Sequence, residues 1–314
     1  MAKAIHEEAL ATAQTIFDGV GRGSPLNSPA AKKTVTSLLE SVTRSPEANL
    51  LLTQMRRFET DLFTHGVNAC VLSMVVATAE GYDDQICELG LGALLHDVGQ
   101  VRLPRNLIRK PDPFTDQERR LLEQHPLLGG AILEQADNIS TMAQEIVVEH
   151  HKRLNGTGYP RNSGHPMSPL TQIVAITDAY DAMITGRNGV LQKPIDVLRE
   201  LYLDANTGAF DRELVEKVIR SLGVYPVGSL VELSTGERGI VLAANRKDTL
   251  KPIIRLILSR DGLPLPRGPV VNLGDAESNA VGRRILKTLD PGKEHIDIMR
   301  HLSLASGVME TWSR

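Results

Sequence analysis

The chain has 314 residues, a length that suggests about two domains with room for one further small module. Hydrophobic residues make up 41% and charged residues 23%, which excludes a wholly disordered chain. With 35 basic and 38 acidic residues the net charge is −3, and this near balance argues against broad electrostatic binding to DNA or RNA.

Cysteine content and hydropathy predict the compartment. Cys70 and Cys87 are too few for a disulfide framework or a four-cysteine zinc site, so we expect a reducing cytosol. No apolar run is expected to reach a membrane span of roughly 18 residues, and the first residues lack the basic-then-apolar order of a signal peptide. A cytoplasmic protein with no membrane partner is predicted.

Residues 1–60 are predicted to form a helical segment. The first helix covers residues 2–20, and two more begin at Ser28-Pro29 and Ser45-Pro46, where proline suits the first helical turn. We find no catalytic pattern here and interpret the segment as regulatory or dimerising, so that a homodimer is one hypothesis for the assembly.

The periodicity then separates a helical domain, residues 61–225, from a β-rich extension, residues 226–314. Helices are expected over residues 62–80, 84–98, 115–123, 126–136, 140–153, 170–185, 194–204 and 211–222. The extension contains the β-rich runs GSLVEL, GIVLAAN and PIIRLIL, with a terminal helix near 290–306. The predicted fold class is mainly α, a helical bundle with a small antiparallel β appendage.

Histidines and aspartates interrupt several apolar helical stretches. A single buried histidine is usually a hydrogen-bonded core residue, because an unpartnered polar group is costly in an apolar environment. Several of them on neighbouring helices favour a shared cation, since neutral imidazoles and carboxylates are its natural ligands. The interrupting residues are His65, His96, Asp97, His150, His151 and Asp178.

Four of these residues form two adjacent pairs, His96-Asp97 and His150-His151. Neighbours on a helix point about 100° apart, so a pair can reach two metals, or one metal near a helix end. A carboxylate such as Asp97 can bridge two cations. Cations about 3.5–4 Å apart polarise a phosphoryl group and hold a hydroxide, which suits hydrolysis of a phosphate ester.

The motifs resemble the HD-GYP family, a branch of the HD-domain phosphohydrolases that acts on the bacterial messenger cyclic di-GMP. The resemblance covers residues 60–225. It rests on HDVG at 96–99, His125-Pro126, the His150-His151 pair leading to GTGYP at 156–160, and DAYDA at 178–182.

The resemblance implies roles for particular residues. Asp97 would bridge two metal ions and form the catalytic centre with His96, while Gln100, Tyr159 and Arg187 would contact substrate. The ions would be iron or, alternatively, manganese, and a metal-bridging hydroxide would linearise cyclic di-GMP, with GMP as a further product. The implied metal ligands are His65, His96, Asp97, His125, His150, His151 and Asp178.

Three positions depart from the family pattern. Gln100 stands where the family usually has lysine, and a neutral amide should bind phosphate more weakly than a full charge. Lys152 and Asn155 replace the usual glutamate and aspartate. Asp61 is a helix cap or a ligand to a third ion, and His165 is interpreted as a loop residue.

Three hypotheses follow. The leading one is a metal-dependent cyclic di-GMP phosphodiesterase. The second is a weakly active or inactive receptor that binds cyclic di-GMP, or a protein-interaction module whose Tyr159 loop contacts a partner such as a diguanylate cyclase. The third is a phosphohydrolase of another nucleotide.

Overall fold

A computed structural model describes most of the chain in two compact units, Met1–Val218 and Ile219–Arg314. The described residues are 1–55, 61–108, 110, 113–161, 166–187, 192–298 and 301. His165 lies outside them, so its interpretation as a loop residue stays a prediction.

The part of the chain before the sheet is helical, as predicted. Its α-helices are α1 (Ala2–Gly21), α2 (Ser28–Arg44), α3 (Pro46–Met55), α4 (Leu62–Ala79), α5 (Ile86–Leu95), α6 (Arg105–Ile108), α7 (Asp116–Leu122), α8 (His125–Glu134), α9 (Thr141–Glu149), α10 (Pro169–Thr185), α11 (Pro194–Asn206) and α12 (Arg212–Leu222). Short 3-10 segments occupy Asp83–Gln85 and Val98–Arg102. The predicted mainly α fold is confirmed.

Helix α4 is the central helix of the first unit. It has 18 residues and a mean hydropathy of 1.5, so the expectation that no apolar run approaches a membrane span is wrong for this helix. Within the described residues, 78% of that stretch is buried in the folded chain, as expected of a core helix. It packs against α5 and α10, and α1, α2 and α3 also pack against it.

Small residues let the helices of the core approach closely. A Cβ at Gly66 in α4 would lie 2.5 Å from Leu94 O in α5, so only glycine fits at this crossing. A Cβ at Gly92 in α5 would lie 2.8 Å from Ile146 Cβ in α9. These contacts bring α4, α5 and α9 close together near His65, His96 and His150.

Two helices end earlier than predicted. Helix α5 stops at Leu95 instead of residue 98, and α9 stops at Glu149 instead of residue 153. Both adjacent pairs, at 96–97 and 150–151, therefore lie at the carboxyl end of a helix. The backbone continues there as a 3-10 segment or a turn.

The second unit contains a five-stranded antiparallel sheet with the strand order β4-β3-β2-β1-β5. The strands are β1 (Leu230–Leu233), β2 (Arg238–Ala243), β3 (Ile253–Leu258), β4 (Val270–Asn272) and β5 (Ile285–Leu289), with α13 (Ala276–Val281) before β5. The first three match the predicted runs. One face buries Val231, Val241, Ile254 and Leu256. Residues 291–297 are not helical, and 299–300 and 302–306 lie outside the described residues.

Candidate metal centre

Histidines and aspartates from five helices converge at one place in the first unit. Two groups of ligand atoms each lie within 4.8 Å of one another, a separation that one cation can span. The first group is His65, His96 and Asp97, and the second is Asp97, His125, His150 and His151. All seven predicted ligands lie in this cluster, because Asp178 Oδ1 is 2.8 Å from His65 Nε2 and its Oδ2 is 3.6 Å from His151 Nδ1.

Asp97 belongs to both groups, and its two oxygens face different histidines. Asp97 Oδ1 lies 3.2 Å from His125 Nε2 and 3.9 Å from His150 Nε2. Asp97 Oδ2 lies 3.7 Å from His96 Nε2 and 4.0 Å from His65 Nε2. This placement suits a carboxylate that joins two cation sites.

The backbone determines the tautomer of three buried histidines. The Nδ1 atoms of His96, His125 and His150 lie 2.7, 2.7 and 2.9 Å from the carbonyl oxygen three residues earlier. A carbonyl oxygen only accepts, so Nδ1 carries the proton and Nε2 of the neutral ring carries a lone pair. All three Nε2 lone pairs point into the cluster.

These lone pairs show that the residues fit a cation. His125 Nε2 and His150 Nε2 are 3.2 Å apart, so in the neutral tautomers two lone pairs face each other. His96 Nε2 is buried and has no hydrogen-bond partner among the described residues. A divalent transition metal would accept all three lone pairs, and imidazole with carboxylate is a donor set that suits such ions.

His65 is held differently. Its Nδ1 lies 2.7 Å from Asp181 Oδ2, and its Nε2 lies 2.8 Å from Asp178 Oδ1. Asn68 Nδ2 in turn donates to Asp181 Oδ1 over 3.1 Å. All of these residues are at most 3% exposed.

The buried carboxyl groups of the cluster are ionised. Burial alone would raise the pKa of Asp97, but the adjacent rings of His96 and His125 and the Arg187 guanidinium bring it well below the usual range. The hydrogen bond from His65, together with the nearby His96 ring, likewise outweighs burial and holds the pKa of Asp178 well below its ordinary value.

The histidine rings divide into two kinds. Burial lowers the pKa of His150 well below 6.5 and that of His151 to about 3, so both are neutral ligands. Burial and the nearby Arg187 also lower the pKa of His65. Its hydrogen bonds to two carboxylates outweigh them and raise that pKa to about 9, so a metal must displace a proton from His65.

Two glycines of the motifs are required by close backbone contacts. A Cβ on Gly99 would lie 2.0 Å from His125 O, so glycine lets the start of α8 approach the 3-10 segment. A Cβ on Gly158 would lie 2.2 Å from His151 O, and Tyr159 N donates to that same oxygen over 3.1 Å. The glycines therefore bring His125 and the 156–160 loop up to the cluster.

The predicted substrate contacts Gln100 and Arg187 both lie against Asp97. Gln100 Nε2 donates to Asp97 Oδ1 over 2.5 Å, and Arg187 Nη2 donates to Asp97 Oδ2 over 3.0 Å. The Arg187 side chain is 15% exposed, so it lies at the edge of the cluster. A role in binding substrate stays a prediction for both residues.

Tyr159 covers one side of the cluster. Its ring centroid lies 4.6 Å from that of His151 and 6.2 Å from that of His125. Burial raises the pKa of its hydroxyl far above the usual range, so the phenol stays neutral and can donate a hydrogen bond.

The positions that depart from the family pattern have structural contacts. Asn155 Oδ1 accepts from Thr157 N over 3.1 Å, which organises the loop before the second glycine. Lys152 is 18% exposed at its side chain and lies 3.5 Å from a carboxylate oxygen of Glu149. Asp61 is the exposed N-cap residue of α4 and is in neither ligand group of the described residues.

Asp181 and Asn68 are site residues that the sequence analysis did not single out. Asp181 lies three residues after Asp178 on α10, the spacing that puts two side chains on one helix face. Asn68 lies three residues after His65 on α4. This matched spacing is the signal that would have found them.

Comparison with known proteins agrees with the site. The family model described as HD domain matches residues 45–214, more than half of the chain. This chain belongs to the HD-domain family. The HD-domain resemblance predicted from the motifs is confirmed, and an HD domain implies binding of divalent metal.

Two curated relatives are similar to this HD-domain chain. Cyclic di-GMP phosphodiesterase PA4108 of Pseudomonas aeruginosa is 31% identical over 272 residues, which cover 85% of this chain and 65% of the relative. The cyclic di-GMP phosphodiesterase of Thermotoga maritima is 32% identical over 149 residues, 46% of this chain and 40% of the relative. The chain therefore spans less than two thirds of the length of each.

One solved structure supports the fold. Bd1817, an HDG"Y"P protein from Bdellovibrio bacteriovorus, superposes with a TM-score of 0.58 and 23% sequence identity. The match covers 69% of this chain and 70% of Bd1817. At this identity the likeness concerns the fold alone.

Proposed function

We propose that this chain hydrolyses cyclic di-GMP to the linear dinucleotide, and further to GMP, with two divalent transition-metal ions. Iron is the first candidate for these ions and manganese the second. The names of the Pseudomonas and Thermotoga relatives support the substrate. The chemistry is the addition of water across one P–O ester bond, which opens the ring and leaves a phosphate monoester and a hydroxyl.

The observation that carries the proposal is the position of Asp97. Its Oδ1 faces His125 and His150, and its Oδ2 faces His65 and His96, so one buried carboxylate separates two sets of nitrogen ligands. A purely structural histidine cluster would satisfy both nitrogens of each buried ring, whereas His96 Nε2 has no hydrogen-bond partner within the described residues.

The residues divide into two ligand sets. His65, His96, Asp97 and Asp178 would hold one ion, and Asp97, His125, His150 and His151 the other. Such a pair of ions, when bound, polarises a phosphoryl group and lowers the pKa of water, which generates the nucleophile. The charge of Asp97 and Asp178 balances part of the ionic charge inside a buried site.

Three side chains at the edge of the cluster are suited to orient the substrate. The Arg187 guanidinium presents a planar set of donors that matches a phosphate, and it reaches Asp97 from one side. The Gln100 amide adds a neutral donor next to the same carboxylate. Tyr159 presents an aromatic face and a neutral hydroxyl near His151.

The test is incubation of purified protein with cyclic di-GMP under reducing conditions, with Fe²⁺ or Mn²⁺ and with a chelator as the blank. We expect the linear dinucleotide to form with metal and not with chelator. Bound metal without product after long incubation would contradict the proposal and favour the receptor hypothesis.

A second substrate distinguishes the remaining hypothesis. Cleavage of a generic aryl phosphodiester, with no cleavage of cyclic di-GMP, would assign the chain to phosphohydrolysis of another substrate. A diguanylate cyclase partner, a homodimer and a cytoplasmic location are further parts of the proposal, and pull-down, light scattering and cell fractionation test them.

A further inference from the structure

The histidines of the cluster differ in the group that contacts the ring at Nδ1. His96, His125 and His150 each donate from Nδ1 to a neutral backbone carbonyl. His65 Nδ1 instead faces a carboxylate at hydrogen-bond distance, with Asp181 Oδ2 at 2.7 Å. Asp181 is fully buried, with no exposed surface.

We propose that Asp181 is a positioning residue whose charge acts through His65, so that the ion held by His65 and Asp178 binds more tightly than the other ion. This inference rests on the metal centre of the proposed function. A carboxylate behind a ligating imidazole fixes the ring and makes it a stronger donor, and loss of such a partner typically weakens metal binding about 10- to 100-fold.

Asp181 has a second contact that fixes its orientation. Asn68 Nδ2 donates to Asp181 Oδ1 over 3.1 Å, so one oxygen faces Asn68 and the other faces His65. The charge of Asp181 thus lies beside the imidazole and is solvated by one amide. No other described side chain gives a ligating Nδ1 atom a carboxylate at so short a distance.

Asp181→Asn removes this charge with little change in shape. The new amide oxygen can still accept from His65 Nδ1. Its amide nitrogen can donate to Asn68 Oδ1 after the Asn68 side-chain amide flips by 180°. Asn68 Oδ1 is available for this, because it has no hydrogen-bond partner within the described part of the chain. The variant keeps both contacts, so the fold should survive.

The chain offers a matched control for a purely structural tie. Ser73 Oγ and Thr177 Oγ1 are 2.7 Å apart and join the same two helices, α4 and α10, as the His65–Asp181 contact does. Ser73→Ala removes that buried hydrogen bond and changes none of the predicted metal ligands. A role of Asp181 that is only structural would make the two variants behave alike.

The experiment is equilibrium titration of chelator-treated protein with Mn²⁺, followed by electron paramagnetic resonance of free Mn²⁺. Wild type should bind about two ions per chain. We expect Asp181→Asn to weaken one of these by about 10- to 100-fold and leave the other unchanged. Ser73→Ala should bind both ions as wild type does, and circular dichroism checks the fold of each variant.

Two results would overturn the inference. One is a titration of Asp181→Asn that matches wild type at both ions, and the other is equal weakening by Ser73→Ala. Each leaves wild-type metal binding intact, so the proposed function would stand. If wild type itself bound no Mn²⁺, the proposed function would fail instead. If wild type bound metal but did not cleave cyclic di-GMP, the role of Asp181 would remain.

Discussion

His125 Nε2 lies 3.2 Å from His150 Nε2, and each ring donates its Nδ1 proton to a backbone carbonyl. The two lone pairs therefore meet in a buried space where water cannot screen them. The chain keeps this repulsive pair, which is understandable if a cation shares both nitrogens. The pair therefore destabilises the metal-free folded chain and stabilises the metal-bound one.

His125→Asn tests whether the facing nitrogens lower stability without metal and raise it with metal. Asparagine can still donate to the Leu122 carbonyl but removes one of the two facing lone pairs. In excess chelator, the melting temperature of the variant should equal or exceed that of wild type. Saturating Mn²⁺ should raise the melting temperature of wild type, because a ligand at about 100 times its dissociation constant adds about 2.7 kcal/mol of stability.

The variant should gain much less from Mn²⁺ than wild type does. Differential scanning fluorimetry with and without metal measures both shifts. Equal metal-induced shifts for the two proteins would show that His125 does not contribute to the site.

The pH dependence of metal binding follows from His65. Its pKa of about 9 means that metal displaces a proton at neutral pH. The association constant for the more tightly held ion should rise about tenfold per pH unit between pH 7 and 9 and then level off. Titrations with Mn²⁺ at several pH values measure this slope, and a constant affinity over that range would contradict the protonation state of His65.

The same shift predicts the opposite trend for stability without metal. The pKa of His65 in the folded chain lies above its ordinary value of 6.5, so charged His65 stabilises the fold. That contribution is complete below pH 6.5 and is lost as the pH rises toward 9. Urea unfolding in chelator should show this decline, and stability that rises over the same interval would count against it.

Much of the site could be predicted from sequence because its ligands stand out chemically. A histidine or aspartate in an apolar helix, such as His65 or Asp178, is conspicuous without coordinates. Asp181 was given no role because a single carboxylate on a buried helix has many ordinary explanations. Its three-residue spacing from Asp178 was the available signal, and its contact with His65 Nδ1 is visible only in the structure.

The fold was predictable where periodicity was strong. The longer helices and the first three strands follow from apolar spacing, whereas the short α6 and α13 were not predicted. Strand β5 pairs with β1 through a segment with exposed Leu286 and Lys287, so it has no clear alternation. Soon after the early end of α5, Gly99 meets His125 O, which lies 26 residues further along the chain. Such long-range contacts cannot be seen in a local pattern.

Gly99→Ala should disrupt the site through the backbone. The new Cβ would lie 2.0 Å from His125 O, so α8 must move. We expect a loss of about 1–3 kcal/mol in the free energy of unfolding, together with weaker metal binding. Gly19→Ala is the control, because its Cβ would meet only Ser24 Cβ at 3.9 Å and the change should stabilise α1 by about 0.5–1 kcal/mol.

Urea denaturation of both glycine variants measures these changes. If Gly99→Ala were as stable as wild type and bound Mn²⁺ equally well, the close approach of α8 would not be what positions His125.

Gln100→Lys should improve substrate binding. Lysine is one atom longer than glutamine, so its ammonium can pass Asp97 Oδ1 and pair with a phosphate of the substrate. A charged contact in place of a neutral one is worth about 1 kcal/mol, or about a fivefold lower KM for cyclic di-GMP. Gln100→Met is the neutral comparison, and an unchanged KM in the lysine variant would remove the argument for a phosphate contact here.

The most direct test is the metal content of wild type and of Asp97→Ala, measured by mass spectrometry on protein purified without chelator. Asp97 joins both ligand groups, so wild type should carry about two transition-metal ions per chain. Asp97→Ala should lose both the metal and cyclic di-GMP hydrolysis, whereas the exposed Asp18→Asn should lose neither. Full metal occupancy in Asp97→Ala, or none in wild type, would contradict a two-cation centre built around Asp97.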